Sequence, residues 1–322
     1  MSGLKHRLAT FFLRPDSSIW LAVLRIGLGL QVLFYTTSLR ADWLVLFARE
    51  NKGLIRRDLT EAMLSADSPL IPRIGWMVDA GALVGLSESS GLWLTWGLLM
   101  LAALCLCAGV FSRTASVVTW ILYVCTAKTA EVWSYGVDNF TIIGLFYLAI
   151  APLPDAWSVD ARWRGKRLRN ARLYGLHRRI LQLHMCIIYS FGGITKCAGL
   201  GWWNGESLWR ALTRAPFDVV PPEILIRAGF LLPVVGILVC VMEATYPIFI
   251  WPRRTRPITL ALIISMHIAI GALMGMYLFA SIMIILNLAA FGAGLSPSDR
   301  AVVSGGPKEA FKSIFPRPQI NS

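Results

Sequence analysis

The sequence predicts an all-α integral membrane protein built as a helical bundle of about eight transmembrane helices. Of its 322 residues, 56% are hydrophobic and 15% are charged, whereas soluble domains are about 45–50% apolar and about 25% charged. The mean hydropathy is +0.60. Apolar runs of about 20 residues, the length of a spanning helix, recur along the chain. This composition excludes a soluble enzyme, a disordered chain and a disulfide-stapled secreted module.

Seven apolar segments carry the predicted spans. The first is too long for a signal-peptide core, so we expect it to be retained. The last is too long for one crossing, and we divide it near Gly275 into two spans. The segments are Ser18–Leu39, Gly91–Phe111, Thr114–Ala130, Gly136–Pro152, Ile180–Gly199, Ala228–Trp251 and Pro257–Phe291. The chain thus divides into a cytoplasmic N-terminal segment (1–17), a transmembrane domain (18–292) and a cytoplasmic tail (293–322).

The distribution of charge indicates topology. A net charge of +13 would suit nucleic acid, but most of the 31 Lys and Arg residues fall in inner segments if both termini are cytoplasmic, as the positive-inside rule predicts. Most acidic residues fall in the outer segments. We therefore expect a multi-pass protein of a bacterial inner or plasma membrane, with the lipid bilayer as partner and no nucleic acid partner.

Two outer loops are long. The first, Arg40–Ser90, is expected to carry short interfacial helices such as Ile71–Val84. The second, Leu200–Arg227, is rich in tryptophan, including Trp203, which is typical of the aromatic belt at a membrane surface.

Four ionisable residues lie well inside the predicted spans, where such residues are functional-site hypotheses: Arg25, His184, Glu243 and His267. Counted at 1.5 Å per residue, all four lie toward the inner side. We expect Arg25 and Glu243 to form a charge-compensating pair that His267 joins by a hydrogen bond. Two interpretations stay open, namely a structural polar cluster that fixes helix packing and a proton path or ligand site. No metal-binding motif is found, so no metal is predicted.

Lys196 lies apart from these four, roughly 18 Å nearer the outer face than His184. On a helix it shares a polar or small stripe with Tyr189 and Gly193, which should face other helices rather than lipid. Asp138 begins the fourth span from the same outer side. A lysine loses its proton readily when buried, which suits a general base. The alternative is a side chain that snorkels to the outer headgroups.

Several short segments resemble a known family. The clearest is Y-S-F-G-G-I-T-K at Tyr189–Lys196, followed by G-W-W-N-G at Gly201–Gly205. The others are L-R-I-G-L-G-L at Leu24–Leu30, V-M-E-A-T-Y-P at Val241–Pro247 and S-M-H-I-A-I at Ser265–Ile270. Together they resemble the HTTM (horizontally transferred transmembrane) domain, the membrane part of vitamin K-dependent gamma-carboxylases, over roughly residues 15–295.

The resemblance implies a helical chamber that opens to the outer side and a reduced quinone of the vitamin K or menaquinone type as cofactor. It implies carboxylase- or epoxidase-like chemistry, in which the matching lysine deprotonates the quinol. Lys196 is then the catalytic base, with supporting or pocket residues at Tyr189, Gly193, Asp138 and Trp203. The segment Trp133–Asp138 departs from the family because it lacks a histidine.

The sequence leaves open whether the protein is an enzyme. The alternative is a non-catalytic membrane protein that binds lipid or quinone, or that assists the maturation of an exported peptide together with a partner protein. A transporter is a third alternative, but no matching pair of interrupted helices supports it.

Overall fold

The computed structural model describes residues 2–49, 56–163 and 171–292, and every regular element in these ranges is a helix. The helices of the first part are α1 (Ser2–Phe12), α2 (Ile19–Ser38), α3 (Trp43–Phe47), α4 (Arg57–Asp67), α5 (Gly75–Ala82), α6 (Glu88–Ala108), α7 (Ser112–Thr129), α8 (Gly136–Ile150) and α9 (Val159–Trp163). Those of the second part are α10 (Ala171–Ala198), α11 (Leu200–Trp203), α12 (Glu206–Thr213), α13 (Pro222–Arg227), α14 (Leu232–Phe249), α15 (Arg256–Met274) and α16 (Tyr277–Asn287). A π-helical turn, Leu288–Gly292, extends α16, and short 3-10 helices lie at Glu131–Trp133 and Gly229–Leu231. The predicted tail 293–322 and the basic stretch 164–170 lie outside the described residues.

The predicted spans are helical. Each of the eight overlaps one of the helices α2, α6, α7, α8, α10, α14, α15 and α16. Within the described ranges, four helices are long and apolar enough to cross a membrane: Ile19–Ser38, Glu88–Ala108, Gly229–Phe249 and Arg256–Met274. Gly136–Ile150 and Tyr277–Gly292 are apolar but shorter. The all-helical class is therefore confirmed, while the count of eight spans and the side on which the termini lie stay predictions.

The division of the last apolar segment is confirmed. Helix α15 ends at Met274, and Gly275 follows with φ +68° in the left-handed region. Glycine adopts this conformation without steric cost, so it is the usual residue after a helix C-terminus. Helix α16 begins two residues later at Tyr277.

The described residues form two compact units, residues 2–20 with 171–292 and residues 21–49 with 56–163. In the first unit α10 packs along α14, and α15 packs against α16. In the second unit α6, α7 and α8 pack in sequence, and the short helices α3 and α5 pack on α6. Their contact is a core of large apolar side chains: Trp43, Phe47, Ile74, Val78 and Leu92. The short helices predicted for the first long loop are therefore present.

Arg25 is fully buried in the second unit, and its carboxylate partner is Asp155. Its Nε donates to Asp155 Oδ2 at 2.6 Å, and its Nη1 donates to the carbonyl oxygens of Leu106 (2.5 Å) and Cys107 (2.7 Å) at the end of α6. The predicted pair of Arg25 with Glu243 is therefore wrong. The prediction considered only carboxylates inside spans, whereas Asp155 lies in the turn that follows α8.

Because both side chains of this pair are 0% exposed, removing one partner leaves an uncompensated buried charge. We expect Asp155→Ala to lower the free energy of unfolding by roughly 3–5 kcal/mol. The measurement is thermal or denaturant unfolding of the purified protein in detergent.

The control is Glu131→Ala, which breaks the exposed Lys128–Glu131 pair and should change stability by about 0–1 kcal/mol. Equal destabilisation by the two variants would contradict the assignment. So would a double-mutant cycle of Arg25→Leu and Asp155→Leu in which the two effects simply add.

Candidate functional site

A close approach of two helices in the first unit brings Lys196 and Glu243 together. A Cβ built on Gly193 of α10 would lie 2.7 Å from Ala244 Cα of α14, so only glycine fits this contact. Lys196 follows Gly193 by about one turn and Glu243 directly precedes Ala244, and Lys196 Nζ donates a hydrogen bond of 2.5 Å to Glu243 Oε2. The Lys196 side chain is 26% exposed and the Glu243 side chain is 9% exposed, so the ion pair is accessible mainly through the lysine.

The space beside this pair is bounded by an indole ring and a glycine. Lys196 Nζ lies 5.5 Å from the ring centroid of Trp202. A Cβ on Gly192 would lie 3.2 Å from Glu243 Oε2 and 3.5 Å from Lys196 Nζ. The absence of a side chain at Gly192 therefore leaves the two charged atoms approachable. Trp203 points elsewhere, since its Nε1 donates to the carbonyl oxygen of Cys197.

A second polar network lies buried in the same unit. Tyr246 Oη donates to Asn287 Oδ1 at 2.8 Å, and Asn287 Nδ2 donates to Tyr189 Oη at 2.7 Å. Tyr189 Oη and His267 Nε2 are 2.8 Å apart. The rings of Tyr189 and Tyr246 stack with centroids 4.3 Å apart. The network links α10, α14, α15 and α16 through their buried faces.

The hydrogen-bond donors and acceptors around His267 determine its tautomer. Tyr189 Oη accepts from Asn287, so its own proton is satisfied only if His267 Nε2 accepts it. The ring proton is then on Nδ1, which is buried and has no hydrogen-bond partner. The opposite tautomer leaves two groups unsatisfied, the Tyr189 hydroxyl proton and Nδ1, so it costs more free energy.

The structure unites some predicted site residues and separates others. Lys196 and Glu243 are bonded, and Tyr189, Gly193 and His267 lie on the same packed helices. The expected hydrogen bond of His267 to an Arg25–Glu243 pair is wrong, because its partner is Tyr189.

The separate depths predicted for Lys196 and Glu243 are also wrong. The depths are counted from the ends of the apolar runs, on the assumption that all of these ends lie at the membrane surface. Helix α10 begins at Ala171, well before the predicted start at Ile180, so the end of its apolar run is not the end of the helix. His184 lies half-buried on α10.

Asp138 has its own surroundings in the second unit. It is 5% exposed, and it accepts hydrogen bonds from Tyr123 Oη (3.2 Å) and from the backbone N–H of Tyr135 (3.3 Å). The second bond belongs to a capping arrangement at the start of α8. Asp138 therefore anchors the N-terminus of a predicted span.

Sequence reasoning missed Asn287, Tyr246 and Asp155. Asn287 is a lone amide in an apolar run, and Tyr246 lies within the motif Val241–Pro247. Both would have been found by including uncharged polar residues in the search of the spans, because a buried amide or phenol also needs hydrogen-bond partners.

The apolar helices and their buried polar groups define a helical membrane protein with an ion pair in its interior. The family model of the HTTM domain matches residues 82–292, more than half of the chain, so the chain belongs to the HTTM domain family. The resemblance read from the motifs is thus confirmed. The comparison with curated proteins gave no match, and neither did the comparison with solved structures.

The tautomer of His267 can be measured directly. The chain has 4 histidines, so ¹⁵N-histidine labelling gives a small set of ring signals, and His267→Gln identifies the one from this site. We expect a neutral ring protonated on Nδ1 in the wild-type protein. Tyr189→Phe removes the donor to Nε2, and we expect it to relax this preference. A wild-type ring protonated on Nε2, or on both nitrogens at neutral pH, would contradict the tautomer inferred from the hydrogen bonds.

Proposed function

We propose that the Lys196–Glu243 pair removes a proton from an acidic hydroxyl group of a lipid-soluble quinol of the vitamin K or menaquinone type. The observation that carries the proposal is the 2.5 Å hydrogen bond between a partly accessible amine and a buried carboxylate. A lysine acts as a base only after losing a proton, and Glu243 is placed to accept it. The apolar surroundings reduce the advantage of the charged pair over the neutral one.

The proton balance is simple. The proton of Lys196 moves to Glu243 Oε2, which leaves a neutral amine and a carboxylic acid. The substrate O–H bond then breaks and an N–H bond forms at Lys196 Nζ. The pair now holds one extra proton, which leaves to an external base through the partly exposed Lys196 side chain. A bound quinol supplies the reducing chemistry, while these residues hold and move protons.

The residues around the pair fit a flat, apolar ligand. Trp202 offers an aromatic face close to the amine, and Gly192 leaves room beside both charged atoms. The family resemblance supports a quinol and carboxylase- or epoxidase-like chemistry. The proposal extends to a multi-pass protein in a bacterial inner membrane with cytoplasmic termini, which the distribution of basic residues supports.

A non-catalytic role is the second candidate, namely binding of lipid or quinone, or assistance to an exported peptide or partner protein. One observation favours it: Lys196 and Glu243 already satisfy each other's charge. Such a pair can serve only to hold α10 against α14.

A lipophilic naphthol separates the two candidates, because its absorbance changes on deprotonation. We expect the wild-type protein in neutral detergent solution to bind it and to show the naphtholate band. Lys196→Arg keeps the charge and a donor to Glu243, but arginine does not give up its proton in proteins. We therefore expect this variant to lose the band, and to lower quinol-dependent turnover by about 10²–10⁴-fold.

The matched control is Lys128→Arg, because Lys128 also pairs with a glutamate, at 2.7 Å from Glu131. It should leave the band unchanged. Gly192→Ala fills the space beside the pair and should weaken naphthol binding while the protein stays folded. A naphthol that binds the wild-type protein but never ionises would refute the base and favour the non-catalytic role.

A further inference from the structure

A cavity of about 450 Å³ lies in the second unit, remote in sequence from Lys196. Its lining residues come from the end of α2 and the beginning of α6: Thr37, Arg40, Trp93, Trp96 and Met100. Both helices are among those long and apolar enough to cross a membrane. When these helices span a bilayer, a cavity at their ends is expected where the hydrocarbon core gives way to the polar headgroups.

The polar groups of this cavity suit an anion. Arg40 is exposed and forms no ion pair with any residue in the described ranges. Beside it, the Thr37 hydroxyl makes only a weak contact of 3.9 Å with the thioether of Met100. A guanidinium with free donors binds phosphate oxygens through charge-assisted hydrogen bonds.

The walls of the cavity are aromatic and held in place. Trp96 Nε1 donates to the carbonyl oxygen of Thr36 at 2.9 Å, which ties α6 to α2. The rings of Trp93 and Trp96 contact edge to face, with centroids 5.9 Å apart. Indole rings beside a cation are typical of the headgroup level of a membrane, where one end of the ligand is apolar and the other is polar.

Exposed apolar side chains continue from the cavity along the two helices, and we call the surface between them, over Gly97, the groove. Gly97 shares a helix face with Trp93 and Leu104, and a Cβ at Gly97 would meet no atom within 4 Å. On α2, Phe34 follows the same face as Thr37 and is 64% exposed. The side chains that flank this groove are exposed and apolar: Leu30, Phe34, Leu101 and Leu104.

We propose that this surface binds one anionic phospholipid, with its phosphate on Arg40 and Thr37, its glycerol region against Trp93 and Trp96, and an acyl chain in the groove over Gly97. Arg40, which has no ion-pair partner among the described residues, selects a net negative headgroup, and the apolar groove selects a lipid over a soluble anion. The site is independent of the proposed chemistry at Lys196.

Native mass spectrometry of the delipidated protein tests the headgroup. We expect phosphatidylglycerol to bind about tenfold more tightly than phosphatidylcholine with the same acyl chains, the effect of one charge-assisted hydrogen bond. Arg40→Gln should abolish this preference. Arg49→Gln is the matched control, because it removes the same charge from an exposed residue that does not line the cavity. Equal affinity for the two lipids, or an equal loss in both variants, would overturn the proposal.

A second variant tests the groove and does not depend on the folding of Arg40→Gln. Gly97→Leu adds a side chain where the structure has open space, so the fold should be kept. We expect it to weaken binding of long-chain phosphatidylglycerol severalfold and to leave a short-chain analogue unaffected. Competition by glycerol phosphate at the concentration of the lipid would assign the site to a soluble anion instead. A photo-cross-linker placed at position 97 should react with lipid. Its reaction with a protein segment instead would also overturn the proposal.

Discussion

Charges buried among apolar helices must be neutralised by partners within reach, and among the ion pairs of the described residues two illustrate this constraint, one in each unit. Arg25 and Asp155 are fully enclosed, and the same guanidinium also satisfies carbonyl oxygens at the end of α6. Lys196 and Glu243 connect α10 to α14. Since an unpaired charge at either place would cost several kcal/mol, the helices can pack only in arrangements that keep both pairs together.

The two pairs differ in accessibility, and the proposed function rests on this difference. The Arg25 pair is 0% exposed on both sides and fills its hydrogen-bonding capacity with the backbone, so it has no means of exchanging protons with a ligand. The Lys196 pair is less enclosed, because the lysine side chain is partly exposed. An amine that is both reachable and bonded to a buried acid is suited to proton transfer, whereas a sealed arginine is suited to holding helices together.

Two glycines determine the position and the surroundings of the Lys196–Glu243 pair. Gly193 permits the contact between α10 and α14 that brings Lys196 to Glu243, and Gly192 keeps the neighbouring space empty. The hydrogen-bond chain of Tyr246, Asn287, Tyr189 and His267 holds the surrounding helices in register. Gly97 likewise leaves open space on the helix that lines the cavity at Arg40.

The sequence by itself determined the membrane class, the positions of the principal helices, the break at Gly275 and the family, because hydropathy, helix-ending glycines and short motifs are local properties of the chain. It also marked Lys196, Glu243 and His267 as polar residues in apolar helices. Only the tertiary structure decided their partners. A counting rule of 1.5 Å per residue gives depth along one helix, whereas pairing depends on how neighbouring helices slide past one another. The relative position of two helices along their axes is set by packing at contacts such as Gly193 with Ala244. This packing places Asp155 beside Arg25 and Glu243 beside Lys196.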